Sequence, residues 1–142
     1  MPITGSEDVR KLVNDLRKIG DGVGRNLGKE FKRAAGPVAQ QARANASWSS
    51  RIPGAISVGV SSSRRYPGAQ IKVSKGKAPH ARLFEFPGRG GSFRHPVFGN
   101  REVWVDQRGR PFIRPAVREK GGEFIKAADR AVVSAAKAAG FR

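Results

Sequence analysis

The chain of 142 residues carries 28 Lys and Arg against 11 Asp and Glu, a formal charge of +17, with no cysteine and two histidines. That composition excludes disulfides, thiolate metal sites, iron–sulfur clusters and a cysteine nucleophile, and leaves too few ligands for an ordinary zinc site. No apolar run approaches the roughly 18 residues that span a bilayer and no charged-then-apolar leader is seen, so a soluble, intracellularly made single domain with an acidic or phosphate-bearing neighbour is expected.

The first fifty residues read as helix. Thr4 and Glu7 are spaced as a capping box, and Glu7 and Asp8 favour the positive end of a helix dipole. Val9, Leu12, Val13, Leu16, Ile19, Val23, Leu27, Phe31, Ala34, Ala35, Val38 and Ala42 then recur at steps of three and four, which keeps them on one stripe. Glycines at 20, 22, 24 and 28 each cost about 1 kcal/mol against Ala inside a helix. A break near Gly20–Gly24 is therefore expected, giving a short helix and then a longer one. Pro37 is placed to kink the second, since it lacks the donor for the carbonyl four residues back. The helical pattern fades at Asn45–Ser50.

From residue 51 the period changes from helical to two. Ala55–Ser61 and Ala69–Ser74 alternate as half-buried strands do, and the polar stretch between them holds Arg64, Arg65, Tyr66 and Pro67. They predict an antiparallel hairpin with a basic tip. Arg82–Phe86 is read as a third strand and Glu102–Gln107 as a fourth, the latter on its Val and Trp content. Between them, residues 87–101 show no pattern and are expected to form a long central loop. Phe93, Val97 and Phe98 within it call for burial, in this chain or in another. Pro111 and Pro115 mark entry to a final helix, which Ile113, Val117, Phe124, Ala128, Val132, Ala135 and Ala139 continue. Gly121-Gly122 should interrupt it and Gly140 should stop it.

The element order predicts an α+β fold. N-terminal helices and a C-terminal helix pack on a four-stranded, mainly antiparallel sheet with a long central loop. The domain spans 1–142, with 1–50 helical, 51–110 sheet with basic loops and 111–140 the C-terminal helix. Charge follows the same division. Residues 51–111 hold 12 basic and 3 acidic side chains, net +9, whereas the segments on either side are each net +4.

Little in the chain suggests catalysis. His80 and His95 lack metal-binding spacing, and Glu85, the one carboxylate amid aromatics, is expected to pair with a neighbouring arginine such as Arg82. The Pro87–Ser92 loop is rich in glycine but lacks the Gly-Lys-Ser/Thr ending and following helix of a phosphate-binding loop. No catalytic residue, metal, cofactor or small-molecule substrate is expected. Basic side chains interleaved with Tyr66, Phe93, Phe98 and Trp104 would suit phosphate contact with base stacking, so a basic RNA- or DNA-binding protein of ribosomal or architectural type is one reading.

Arg110-Pro111-Phe112-Ile113-Arg114-Pro115-Ala116 resembles the entry to the last helix in another group. These are the head-to-tail connector, or tail-completion, proteins of the neck of long-tailed double-stranded DNA phages. Ala78–Phe86 is similar to that family's "aromatic, Glu, Phe" segment. Phe93–Gly99 looks like the longer central loop of relatives from phages of actinobacteria, and Ser47–Pro53 fits the same layout. The chain departs at Phe86-Pro87, where many members have Phe-Gly-Thr.

The resemblance implies a structural virion protein. It would form a homo-oligomeric ring, a hexamer matching the tail, made in the bacterial host cytoplasm and placed between head and tail tube where the genome passes. Its partners would be adjacent neck and tail proteins, with non-specific contact to passing double-stranded DNA and none to membrane. On this reading Arg64, Arg65, Arg89, Arg94, Arg108 and Arg110 contact acidic ring proteins or DNA, and Phe93, Val97 and Phe98 form the subunit interface.

Overall fold

In the computed structural model, residues 2–3, 21–61, 68–138 and 140 are described. The capping box at Thr4 and Glu7, the first helix and the Arg64-Arg65 tip lie outside them. Strand β1 (Pro2–Ile3) precedes helices α1 (Asp21–Ala34) and α2 (Gly36–Asn45). A one-turn helix α3 (Ile52–Ala55) leads into β2 (Ile56–Ser61), and β3 is Gly68–Val73. Then come the short helix α4 (Ala81–Glu85), a 3₁₀ turn (Arg89–Gly91), β4 (Ser92–Val97), β5 (Asn100–Arg108) and the long helix α5 (Ile113–Ala138).

The α+β class holds, but the strands do not form one sheet of four. β1, β3 and β2 make a three-stranded antiparallel sheet in that order, and β4 and β5 form a separate antiparallel ribbon. β2 and β3 pair in register from Ile56↔Val73 to Ser61↔Gly68, as the alternating sequence requires. Arg82–Phe86 was expected as a third strand and is instead the helix α4. Five residues are too few for period to separate helix from strand, and tertiary contacts of Glu85 decide the outcome. The patternless 87–101 segment is likewise not a loop throughout. Its 92–97 portion is a strand, and Phe98-Gly99 forms the tip, where Gly99 at φ +84° takes the left-handed conformation.

Pro37 divides two helices, as its lost donor predicts: α1 ends at Ala34 and α2 starts at Gly36 with the proline in its first turn. Gly121-Gly122 does not interrupt α5. Phe124, Ala128, Val132 and Ala136 bury the following turns, and such packing outweighs about 1 kcal/mol of propensity at each glycine. Gly140, at φ +89°, donates its N–H to the Lys137 carbonyl and ends the helix as expected.

α1 and α2 both pack against α5 and strand β2, and α1 also against β3. The final helix therefore rests on the other helices rather than directly on a broad sheet. Their shared core is rich in alanine: Ala35, Ala39, Ala42 and Ala46 lie beside Val38, Phe112, Ala116, Phe124 and Val132 in one cluster. Short side chains let helix axes approach closely, while the larger rings fill the gaps. Asn45 at the end of α2 donates from Nδ2 to the Phe112 carbonyl at 3.1 Å, and this ties α2 to the entrance of α5. Among the described residues, no helix is long and apolar enough to cross a membrane.

Candidate assembly site

The entrance of α5 is built around Glu85, a residue only 2% exposed. A helix begins with N–H groups that have no partner within the helix. Here Oε2 accepts from the Phe112 and Ile113 N–H groups at 2.7 and 2.9 Å, and Oε1 accepts from the Arg114 N–H at 2.8 Å. A negative group at this end also complements the helix dipole. The carboxylate thus replaces a local N-cap side chain with one brought from 27 residues away.

Arg114 completes the clasp. Its Nε lies 3.4 Å from Glu85 Oε1 as an ion contact, and its Nη2 donates to the Glu85 carbonyl oxygen. That Nε is buried and makes no hydrogen bond, so its attraction to the carboxylate is Coulombic rather than directional. The guanidinium also sits 4.9 Å from the centre of the Phe86 ring, within cation–π range. Glu85 therefore pairs with Arg114, not with the neighbouring Arg82 that its sequence position suggests. Burial needs several simultaneous partners, which only the α5 entrance supplies.

The same junction mounts the β4–β5 ribbon. Phe84 lies 4.7 Å from Trp48, edge-on to Phe93 at 5.2 Å, and edge-on to His80 at 6.2 Å. Phe93 in turn meets His95 at 5.9 Å. Aromatic pairs at such offset or edge geometries add to the burial of their area. Arg110 covers the Trp48 ring at 5.4 Å. Backbone bonds from Gly109 N to Gly91 O at 2.8 Å and from Arg110 N to Phe84 O at 3.0 Å close the ribbon's base.

Glycines make this base possible. Gly88, Gly90 and Gly91 all have φ between +73° and +89°, a conformation other residues adopt with difficulty. Gly109 is needed for closeness instead: a Cβ there would lie 2.6 Å from Pro87 Cβ and nearer still to Cγ. An open hollow of about 550 Å³ remains beside the base, walled by Phe86, Pro87 and Pro111 with Arg108 and Arg114. The glycine-rich turn runs on into β4, not into a helix, so its N–H groups gain no helix dipole for phosphate binding.

Beyond its base the ribbon stands clear of the body. Val97, Val103, Trp104 and Val105 are exposed, and Phe98 at the tip is fully so. Arg94 lies across from Asp106 and approaches its Oδ1 at 3.5 Å, with both side chains largely solvated. Such a surface pair contributes about 0–1 kcal/mol.

The anticipated contact residues are partly gathered here. Arg89 is in the 3₁₀ turn, Arg94 on the ribbon, Arg108 at its base and Arg110 over Trp48. Arg64 and Arg65 fall outside the described residues. Of the three apolar residues expected at an interface, Val97 and Phe98 are free for one, whereas Phe93 is half-buried against Phe84. Sequence reading missed the Glu85–Arg114 clasp and the Trp48–Phe84 mount. Their signals were the lone carboxylate amid aromatics and the proline-flanked Phe112–Pro115 stretch, but no spacing rule links segments so far apart.

Among the described residues no group of three or more His, Cys, Asp or Glu could hold a metal ion. No protein-family model matches the chain, and comparisons with curated proteins and with solved structures likewise find no match.

Proposed function

We propose that the chain is a structural component of a phage neck, a subunit of a ring that joins the head to the tail tube and lets the genome pass. One observation carries this reading: a ribbon braced at its base exposes Val97, Phe98, Val103, Trp104 and Val105 together. A two-stranded ribbon is marginal alone in water, and exposed apolar groups gathered on one projection are characteristic of assembly surfaces. The Glu85 clasp adds support, because it joins the two segments that carry the family resemblance, Ala78–Phe86 and Arg110–Ala116.

The ribbon is poorly suited to reading nucleic acid. Strand period and pairing put Glu102 and Asp106 on the Trp104 face together with Arg94 and Arg108, so that face carries no net positive charge to draw phosphates to a stacking ring. The chain's excess positive charge serves neighbouring acidic rings and the passing duplex without sequence readout.

The test is composition and placement in virions. Quantitative mass spectrometry of particles from the phage that encodes the chain should find it in a multiple of six copies. Antibody against it should label the head–tail junction. Absence from purified particles, together with RNA binding by a monomer that weakens steeply with salt, would overturn the reading in favour of a ribosomal-type protein.

A further inference from the structure

We infer that two copies of the chain join edge to edge along β5, in an antiparallel register that sets Glu102 of one copy opposite Arg108 of the other. The contact goes beyond the ring reading: it is two-fold and closes on itself, unlike the head-to-tail contact that a ring repeats. Among the described residues β4 and β5 pair only with each other, so both strands of the ribbon are edges. A ribbon of two strands gains stability from a third or fourth.

The phase of the ladder decides which backbone groups face outward. Gly109 donates its N–H to the Gly91 carbonyl, and this pair continues the register that runs from Ser92↔Arg108 to Pro96↔Trp104. Bonded and non-bonded pairs alternate along an antiparallel ladder. Val105 and Gln107 therefore turn their backbone groups toward β4, while Trp104, Asp106 and Arg108 turn theirs away from it. Pro96, opposite Trp104, agrees: a residue without an N–H sits where the ladder needs no donor. The β4 edge thus lacks a donor at Pro96 and is irregular at Pro96–Val97. β5 has no proline, so its edge is the open one. Side chains occupy only the two ends of that edge. Asn100 Oδ1 accepts from the Glu102 N–H at 3.1 Å, and the Arg108 carbonyl accepts from Gln107 Nε2 at 3.3 Å.

An open edge takes an extended strand, and the side chains of β5 select a second β5. Glu102, Trp104, Asp106 and Arg108 share one face by period, with Arg94 across the ladder. Arg94 already holds Asp106 at 3.5 Å, whereas Glu102 and Arg108 have no ion pair among the described residues. Let Trp104 and Asp106 exchange their outward groups between copies. Glu102 then lies opposite the other copy's Arg108, twice over, and Val105 lies opposite its own equivalent. Every charge on that face is matched. Sliding two residues one way opposes Glu102 to Asp106, and sliding two the other way opposes Asp106 to itself. Like charges directly opposite destabilise a sheet, and a slide of one residue breaks the ladder phase. The resulting sheet of four ends in β4 on both sides, where Pro96 withholds a donor, so growth stops at two copies.

The chain has no cysteine, so single thiols read the register. Under mild oxidation Val105→Cys should form a disulfide-linked dimer roughly tenfold faster than Trp104→Cys or Asp106→Cys, whose equivalents lie on a diagonal. Glu102→Arg and Arg108→Glu should each weaken self-association roughly tenfold by sedimentation. Mixed one to one, the two variants should associate to within about threefold of the parent, since each supplies the charge the other lacks. Four results would overturn the inference. They are a parent chain monomeric at every concentration, linkage no faster at Val105 than at its neighbours, no recovery in the mixture, or Val105→Cys linking in particles to a different protein and not to its equivalent. The first three use the purified chain alone, so the neck reading stands or falls separately.

Discussion

Replacing Glu85 by Ala removes the acceptor for three N–H groups at once. Two of these, on Phe112 and Ile113, are in buried bonds, and the third, on Arg114, is partly buried. Leaving a buried donor unpaired costs about 1–3 kcal/mol, while a partly buried one can recruit water for roughly 1 kcal/mol or less. Arg114 loses its ion partner; its side chain is 42% exposed, so the guanidinium rehydrates except at its buried Nε. The expected loss is therefore about 2–7 kcal/mol, at or above the about 0.5–2 kcal/mol of an ordinary exposed N-cap. With an unfolding entropy near 2.1 cal/mol/K per residue, 142 residues give about 0.3 kcal/mol/K. Tm should then fall by roughly 7–23 °C in differential scanning calorimetry. Glu85→Gln keeps one carbonyl oxygen, which can still accept from Phe112 and Ile113, but turns an amide N–H₂ toward Arg114. It should lose about 1–3 kcal/mol, intermediate between parent and Ala. A fall of under about 3 °C for Glu85→Ala, or equal losses for Gln and Ala, would refute the clasp as a source of stability.

Other perturbations separate the mount from the arm. Gly109→Ala should cost about 1–3 kcal/mol because its Cβ collides with the Pro87 ring; adding Pro87→Ala should restore part of that in urea titrations. Phe84→Ala should remove the stack on Trp48 and Phe93, lowering stability by about 2–4 kcal/mol. It should also change indole emission, which is best read in a Trp104→Phe background that leaves Trp48 as the sole tryptophan. Phe98→Ser, at a fully exposed tip, should leave Tm within about 2 °C of the parent yet reduce incorporation into virions. Phe124→Ala, on the buried face of α5, should cost about 3–5 kcal/mol by calorimetry and serve as the reference for a purely structural loss.

Much of the local structure was legible from residue order. Alternation at Ile56–Ser61 and Gly68–Val73 located an antiparallel pair, Pro37 divided two helices, Pro111 announced α5 and Gly140 closed it. Each is a short-range effect: side-chain period follows backbone geometry, and proline and glycine act on their own dihedrals. The absence of thiols, the charge of +17 and its concentration in the middle segment were likewise decided by composition.

What residue order did not contain is which distant groups would meet. Ala81–Glu85 became helix because Glu85 had to reach three N–H groups across the chain, and no local pattern encodes that demand. Gly121-Gly122 stayed helical because burial of Phe124 and the alanines outweighed propensity. The 92–97 segment became a strand once β5 offered a partner, and Phe93 found cover on Phe84 while Phe98 did not. Burial and long-range pairing are properties of the assembled chain. They turned one expected sheet and a loop into a body carrying a braced arm.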